Sequence, residues 1–382
     1  MSKTFNLFSL FYLLCCGSCL STQYGENVSS SSDVVFSTQT FITDSIVNAC
    51  SFFLPKVMGT ESIIGSIDRI LILDDFVYIV DRKTNVVCSY NITGEFIRST
   101  KNLIGKGQKE YVRIIDATIS SDDSLLYVLC DAPYQIIVLN REFEVVNVFP
   151  LPGLCTEIGT EGEAVYVIYH DVNNLSSFEL RKYNKNLQSP KYDIILKQPN
   201  GIVGVSGLGN NLVSDGTQCF FSPPFSNIIY TIRNGNIVEG RNYNFKGRWF
   251  NYNEVKMLSG SKFIDQNSDY NWNISNICSS DSIMIFNTNK AGIYKTCLNN
   301  GKTYHYISAI NTLLPVMSTW IHPVCGVKSC FAMVMSNQQI IKIKKLIQRG
   351  ELKNDDVSQE LKTFLQIYET NDNPIIIFFM MK

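Results

Sequence analysis

A pattern of apolar segment, short loop and apolar segment recurs along this 382-residue chain. Each copy predicts β-strands joined by hairpins, because Thr93-Gly94, Asn234-Gly235 and Asn300-Gly301 supply the positive φ of a tight turn. The six copies contain segments 76–81, 86–90 and 93–97; 125–130, 136–139 and 144–149; 164–169 and 178–183; 219–221 and 228–232; 283–286 and 292–296; and 330–335 and 339–343. Six copies, spaced by roughly 40 to 65 residues, predict an all-β fold, a six-bladed β-propeller.

The leading segments of the copies, such as 76–80 and 283–286, are apolar almost without alternation. Strands of this kind are covered on both faces, as the inner strands of a propeller blade are by the neighbouring blades. A β-sandwich predicts cleaner alternation, and a solenoid predicts a tighter period. The insertion 243–276, after the fourth copy, is typical of a loop between blades.

The C-terminal part predicts how the ring closes. Segments 340–348 and 355–368 have helical spacing, which competes with the strand assignment of 339–343 and predicts a short helical excursion before the last strand. A propeller has an open edge unless strands from both chain ends share a blade. We therefore expect 375–379 to pair in the sixth blade, beside a strand from 46–53.

The N-terminal sequence predicts export to the cell envelope. Lys3 precedes an apolar stretch, 5–14, which has the length of a signal peptide core and is too short to cross a bilayer. Gly17-Ser18-Cys19 follows, so we expect a lipoprotein signal peptide over 1–19 with Cys19 lipidated; Cys16, or an ordinary cleaved signal peptide, is the alternative. Residues 20–42, rich in Ser and Thr, are then a flexible tether, and 43–382 form the propeller.

Charge and cysteine content limit the classes of partner. The 33 Lys and Arg balance 34 Asp and Glu without a basic stripe, which argues against nucleic-acid binding. Most cysteines lie within predicted strands and are expected to be small core residues; Cys325 and Cys330 are the one pair considered for a disulfide. The predicted partners are the membrane, through the lipid anchor, and a glycan or a protein, with the chain a monomer.

Residues that could carry catalysis or bind metal are sparse. His170, His305 and His322 have no second ligand at metal spacing beyond the weak pair of His322 with Cys325, so no metal and no cofactor is predicted. A Gly-x-Ser-x-Gly motif is absent from the sequence.

Aspartates follow several strands, at Asp81, Asp131 and Asp171. They could form a ring of carboxylates at a channel mouth, or accept hydrogen bonds from loop N–H groups and fix the turns. The second interpretation is favoured, because the later copies carry Ser222, Asn287 and Ser336 at this place.

The insertion 243–276 is rich in aromatic residues and contains Arg248, Trp249 and Trp272. Aromatic side chains on a polar loop are typical of ligand binding by stacking, so these three residues are the candidate binding site. The alternative, left open here, is that the aromatic residues form a core of the insertion itself.

Segments 61–65, 67–70, 77–81, 94–97 and 105–111, in that order, resemble the six-bladed β-propeller lipoproteins of Bacteroides and relatives. That family is a domain of unknown function, distantly similar to NHL-repeat and TolB-like propellers, and 373–379 resembles its closing strand. The resemblance implies the fold and a cell-envelope location as an outer-membrane lipoprotein, periplasmic or surface-exposed. It also implies that Gly105 and Gly107 belong to a turn between blades.

Two functions are compatible with these observations. The first is a non-catalytic, lipid-anchored extracytoplasmic propeller that binds a ligand or protein partner on one rim. The alternative is a propeller enzyme, a lyase or hydrolase that acts on glycans or lactones from the central channel. Ionisable groups that converge in the channel with mutual hydrogen bonds would favour the enzyme.

Overall fold

The computed structural model describes residues 28–37, 39–120, 124–170, 177–185, 187, 192–199, 209–250, 269–311, 314–351, 359–369 and 372–382. The predicted signal peptide, with Cys19, lies outside these residues. The described part is almost entirely β-structure, with two α-helices near the C-terminus.

Most strands belong to antiparallel groups of four, called units 1 to 6 here. Units 1 to 3 contain β4 (Arg69–Leu73), β5 (Phe76–Asp81), β6 (Val86–Asn91) and β7 (Phe96–Ser99); β8 (Arg113–Ser120), β9 (Leu125–Asp131), β10 (Gln135–Leu139) and β11 (Val145–Pro150); and β12 (Cys155–Glu161), β13 (Ala164–His170), β14 (Ser177–Asn184) and β15 (Asp193–Pro199). Units 4 and 5 contain β16 (Leu212–Ser214), β17 (Cys219–Phe221), β18 (Ile228–Arg233) and β19 (Asn236–Asn244); and β20 (Ile274–Ser279), β21 (Ile283–Thr288), β22 (Ile293–Cys297) and β23 (Lys302–Tyr306). Unit 6 contains β26 (His322–Cys325), β27 (Cys330–Met335), β28 (Ile375–Met381) and β3 (Val47–Phe53).

The remaining elements lie outside the units. They are strands β1 (Val28–Phe36), β2 (Phe41–Ile42), β24 (Ala309–Asn311) and β25 (Leu314–Met317), and helices α1 (Asn337–Gln348) and α2 (Gln359–Ile367). Short 3-10 turns occupy Thr43–Ser45, Thr60–Ser62 and Thr100–Leu103.

The first strands of the units lie against one another in the order β4, β8, β12, β16, β20 and β26. β26 also pairs in parallel with β4, through Val324 with Ile70 and Cys325 with Leu71, so the last unit meets the first. The predicted all-β, propeller-like fold is confirmed by this curled arrangement of sheets.

Strand β5 shows why the apolar runs fold in this way. Val77 and Ile79 on one face pack in a cluster with Ile376 of unit 6. Tyr78 and Val80 on the other face pack in a cluster that includes residues of unit 2. A strand with both faces buried gains from apolar residues at every position, which explains the missing alternation in the sequence.

The strand that leads each unit differs from the sequence-based prediction. The sequence predicts the apolar segments 76–80 and 283–286 as leading strands, but each is the second strand of its unit, after β4 or β20. The true leading strands carry polar residues such as Arg69 and Asn276 among their apolar ones. Because polar and apolar residues are mixed in these strands, the sequence pattern did not predict them. Their polar residues lie at the centre of the ring.

The predicted closure of the ring by the two chain ends is confirmed. β28 lies between β27 and β3, with Ile376 opposite Phe53 and Met380 opposite Ala49. The β28 side chains Ile375, Ile376 and Phe379 are fully buried.

The predicted tether, 20–42, is corrected from Val28 onward, because β1 and β2 belong to the fold. β1 lies between the outer edges of two units, parallel to β19 over its first part and to β23 over its last three residues. Val34 is fully buried, in a cluster with Tyr243 and Phe286. The exposed edges of β19 and β23 supply hydrogen-bond partners for a Ser-rich segment that has little apolar pattern of its own.

The predicted helical excursion is present as α1 and α2, and the strand interpretation of 339–343 is wrong. Ser336 and Gln339 form a capping box at the start of α1. The helices bury Ile340, Leu361 and Leu365 in the cluster that also contains β28 residues. The apolar residues at helical spacing are therefore buried on one face of each helix, whereas the second strand of a unit such as β5 is buried on both faces.

Deletion of residues 372–382 removes β28 and leaves the edges of β27 and β3 unpaired. We expect the truncated protein to lose its cooperative thermal transition, measured by far-UV circular dichroism. The variant Met380→Ser, at a side chain that is 37% exposed, is the control and should retain the transition. A truncated protein that melts like the full chain would refute the dependence on β28.

Candidate functional site

Polar side chains of the leading strands meet at the centre of the ring. β4 begins with Arg69, β8 contributes Asp116 and β12 contributes Glu157. Asn210 precedes β16, and Asn276 lies within β20. These five residues are called the central cluster below.

Arg69 holds the cluster together. Its side chain is 1% exposed, and its Nη2 lies 2.8 Å from Asp116 Oδ2 and 3.7 Å from Glu157 Oε2. Nη2 also donates to Asn210 Oδ1 at 3.3 Å, and Nη1 donates to the Leu212 carbonyl at 3.1 Å. A buried guanidinium requires such partners, because removing its charge from water costs several kcal/mol. One side chain thus links units 1 to 4.

The two carboxyl groups are also held by main-chain N–H groups. Ile158 N donates to Asp116 Oδ2 at 2.9 Å, and Leu212 N donates to Glu157 Oε2 at 2.7 Å. Burial raises the pKa of Asp116, and Arg69 opposes this rise. Burial, reinforced by Asp116 and opposed by Arg69, raises the pKa of Glu157 to about 8. At neutral pH, Glu157 therefore holds a proton, and Asp116, 2.8 Å from Arg69 Nη2, is the nearer carboxyl group to the guanidinium.

A chain of amides continues the network through units 4 to 6. Asn210 N donates to Asn276 Oδ1 at 2.9 Å, and Asn276 Nδ2 donates to Asn287 Oδ1 at 3.3 Å. Ile321 N, next to β26, donates to the same Asn287 oxygen at 2.9 Å. Together with Arg69, these amides give every unit a polar contact to a neighbour near the ring centre.

His322 and Cys325, the weak metal pair of the sequence, lie on β26. Burial lowers the pKa of His322 to about 4, so this imidazole is neutral at neutral pH. Arg69 Nη1 lies 3.7 Å from Cys325 Sγ. Within the described residues, no three His, Cys, Asp or Glu side chains are arranged to hold a metal ion.

The disulfide considered between Cys325 and Cys330 is not formed, because both are free thiols. Each is buried in a strand, as are Cys88, Cys130 and Cys219, which confirms that these cysteines serve as small core residues. Cys297 is only half-buried.

Of the strand-end residues, Asp81 fixes a turn, as favoured from the sequence. Asp81 accepts hydrogen bonds from the N–H groups of Gly65, Ser66, Lys83 and Thr84. Asp131 forms an ion pair with Arg113, and Ser222 Oγ donates to the Ile228 carbonyl. Ser336 caps α1, and Asp171 lies outside the described residues.

The Gly105 to Tyr111 segment is a turn between units 1 and 2, as the family resemblance implied. Gly107 N donates to Glu110 Oε2 at 2.7 Å. Ile104 and Tyr111 bridge across the turn, and the Tyr111 side chain is fully buried.

The aromatic insertion forms a core in its described part. Trp272 is only 3% exposed and stacks on Phe225 with ring centroids 5.8 Å apart, so its assignment as a ligand-binding residue is corrected. Trp249 Nε1 donates to the Phe225 carbonyl at 3.3 Å, and its ring packs on Phe245. The exposed Arg248 places its guanidinium 4.0 Å from the Phe36 ring centroid. The proposed roles of Arg248 and Trp249 in binding stay predictions.

Two clefts open in the described part of the chain away from the central cluster. One, of about 410 Å³, lies between units 3 and 4 beside Lys182 and Tyr192. The other, of about 550 Å³, lies beside Arg113 and Tyr134 of unit 2. Both volumes lie within the range of small-molecule sites.

Sequence reasoning missed the central cluster altogether. Arg69 precedes the apolar run 70–73, and Asp116 interrupts the apolar run 114–119. A charged residue inside an apolar strand was the available signal, but its partner lies on a strand far away in sequence.

A family model described as "Domain of unknown function (DUF4934)" matches residues 59–380, so the chain belongs to that family. Among curated proteins, none matches the sequence. No helix in the described part of the chain is long and apolar enough to cross a membrane.

Solved structures match this chain at low identity. A presumed exported protein of Bacteroides fragilis is 16% identical and has a TM-score of 0.66, over 91% of this chain and 99% of that chain. A DUF4221 member from Bacteroides vulgatus is 8% identical, with a TM-score of 0.48 over 88% of this chain and 97% of that chain. The β-propeller domain of Myceliophteria thermophila Cps50 (Swd1) is 9% identical, with a TM-score of 0.38 over 70% and 93%. The first likeness concerns the fold alone, and the other two are too weak to bear on function.

Replacing Glu157 by Gln should change the pH dependence of stability. The folded protein retains a proton on Glu157 that the unfolded chain releases above a pKa of 4.5, so the free energy of unfolding falls as pH rises from there to about 8. Gln keeps a side-chain oxygen that can accept the hydrogen bond from Leu212 N, but it does not ionise, so its folded state does not lose stability as pH rises. We expect the variant to gain on the order of 2 kcal/mol relative to wild type between about pH 5 and pH 8, measured by urea denaturation.

The matched control for that experiment is Glu142→Gln, at an exposed side chain in the turn between β10 and β11. Its effect should be the same at both pH values. Parallel pH profiles for wild type and Glu157→Gln would contradict a protonated Glu157 in the folded state.

Replacing Trp272 by Ala should destabilise the fold by about 3 to 5 kcal/mol, because it empties a buried aromatic site. Trp249→Ala should have a smaller effect, since its ring is half-buried. Tyr270→Ala, at a ring that is 42% exposed, is the control and should stay within about 0.5 kcal/mol of wild type. Chemical denaturation measures all three, and an unchanged stability for Trp272→Ala would overturn the core assignment.

Proposed function

We propose that this DUF4934 member is a lipid-anchored, six-bladed β-propeller of the cell envelope that binds a ligand or protein partner on one rim and does not catalyse a reaction. Units 1 to 6 correspond to the blades. The order of the leading strands around the ring and the pairing of β26 with β4 support six blades.

The observation that carries binding rather than catalysis is the closed state of the central cluster. Arg69 and Asp116 are 1% and 5% exposed. The Arg69 Nη atoms and the Asp116 carboxylate contact Glu157, Asn210 and the main chain, and within the described residues only Nε of this guanidinium has no hydrogen-bond partner. A substrate would have to displace contacts that hold four units together. The open clefts lie elsewhere, where recognition on a rigid scaffold is usually placed.

One observation favours the enzyme as a second candidate. Glu157 carries a proton at neutral pH beside the Arg69 guanidinium, and its side chain is 13% exposed. A carboxylic acid with such a pKa can act as a general acid on a glycan or lactone. This function predicts turnover of such a substrate that Glu157→Gln abolishes.

The envelope address rests on the signal peptide and on Gly17-Ser18-Cys19. The described fold begins at Val28, so only a short linker separates the proposed anchor from β1. An outer-membrane lipoprotein, periplasmic or surface-exposed, agrees with the exported character given to the B. fragilis protein of similar fold. The chain is proposed to act as a monomer.

Metabolic labelling with a palmitate analogue tests the anchor. The wild-type protein should incorporate the label and fractionate with membranes, and Cys19→Ala should abolish both. Cys16→Ala is the matched control and should retain both. Label that persists in Cys19→Ala and disappears in Cys16→Ala would move the site upstream, and an unlabelled wild type would refute lipidation.

A further inference from the structure

The cleft between units 3 and 4 is a preformed cavity. It lies where the β12–β13 turn, the β18–β19 turn and the start of β15 meet, and has a volume of about 410 Å³. A Cβ placed on Gly162 would meet no atom within 4 Å, so this wall is open to a ligand.

Glu161 fixes the two turns relative to each other. It is 6% exposed, and its carboxylate accepts hydrogen bonds from Asn234 N at 2.8 Å and Gly235 N at 3.1 Å. Tyr166 Oη donates to the same carboxylate at 3.2 Å. Asn234 and Gly235 have φ values of 51° and 75°, which allow both N–H groups to point at one carboxylate. These hydrogen bonds join the two turns before any ligand binds, and a preformed site reduces the entropy lost on binding.

Tyr192 provides a partly exposed aromatic surface. The buried Arg181 guanidinium lies between two rings, with its Cζ 3.5 Å from the Tyr169 centroid and 4.1 Å from the Tyr192 centroid. Glu179 pairs with this guanidinium at 2.7 Å. Tyr192 is nevertheless 40% exposed. The Tyr192 ring also contacts the Tyr183 ring, with centroids 5.6 Å apart. The part of the ring that stays exposed can stack on an apolar ligand face.

The polar lining offers donors and acceptors together. Lys182 Nζ lies 3.4 Å from Asp193 Oδ2 and 3.5 Å from the Gly235 carbonyl. The Asp193 and Glu163 side chains are more than 70% exposed. Hydroxyl groups both donate and accept, so they suit a carboxylate and an ammonium side by side. Glu163 pairs with Lys185 at 2.7 Å. The three carboxylates at the cleft, those of Glu161, Glu163 and Asp193, still outnumber the two lysines, which disfavours an anionic ligand.

From these features, we infer that the cleft binds a neutral glycan, with a sugar ring stacked on Tyr192 and its hydroxyl groups bonded to Asp193 and Lys182. The inference rests on the proposed binding function and specifies its ligand class. Stacking alone would admit many planar ligands; the exposed Asp193 carboxylate beside the half-buried Lys182 ammonium selects for hydroxyl groups.

The test is titration of purified full-length protein in detergent with neutral tetrasaccharides of glucose, mannose, xylose and N-acetylglucosamine, followed by calorimetry. We expect at least one to bind and Tyr192→Ala to weaken it about tenfold or more. Asp193→Asn should weaken binding several-fold. The matched control Tyr270→Ala, at a similarly exposed ring outside the cleft, should leave affinity unchanged. Unchanged melting temperatures would show that the variants are folded.

The alternative outcomes separate this inference from the proposed function. Tetrasaccharide binding that survives Tyr192→Ala would overturn the cleft and leave rim binding intact. Binding of none of the four, or of tetralysine in their place, would overturn the glycan assignment. Release of reducing sugar from a bound tetrasaccharide would instead refute the non-catalytic function.

Discussion

Pairing between β28 and β3 joins a strand from the C-terminal end of the chain to one that precedes unit 1. The ladder from Ile376–Phe53 to Met380–Ala49 completes unit 6 with strands from both ends. The other units are local meanders, but unit 6 forms only when the whole chain is present. Loop closure over this sequence distance is entropically costly, so ring closure is expected to be late and cooperative in folding.

The central cluster depends on that closure and also makes it specific. Arg69 can leave water only when its partners from units 2, 3 and 4 are in place, because a buried charge without a partner is strongly destabilising. An incorrect order of units would leave a guanidinium or a carboxylate unpaired. The proton on Glu157 has a similar origin, since two carboxylates share one cation in a desolvated space. The polar residues at the ring centre therefore specify the register and the order of the units, whether or not they take part in a reaction.

Features of the fold that depend on local sequence were predicted, and features that depend on distant contacts were not. The second strands of the units, the turns at Gly94, Gly235 and Gly301, and the helix at Ile340 were predictable, because burial on one or both faces leaves a local pattern. Strands β1 and β4 were missed because their stability comes from distant neighbours. The same holds for Arg69 and Glu157, whose partners are known only once the strands are assembled. Trp272 shows a further limit of prediction from sequence: an aromatic residue in a polar loop looks the same in the sequence whether it binds a ligand or is buried in a core.

The position of β1 has a mechanical consequence. It is the first described element of the chain, and it is bonded along its length to β19 and then to β23, parallel to both. A pull on the N-terminus along the strand axis would load these hydrogen bonds in shear, so that they resist together instead of opening one after another. If the chain carries the proposed lipid anchor, tension from the membrane would thus be spread over units 4 and 5 before it reached β3 and the closure of the ring.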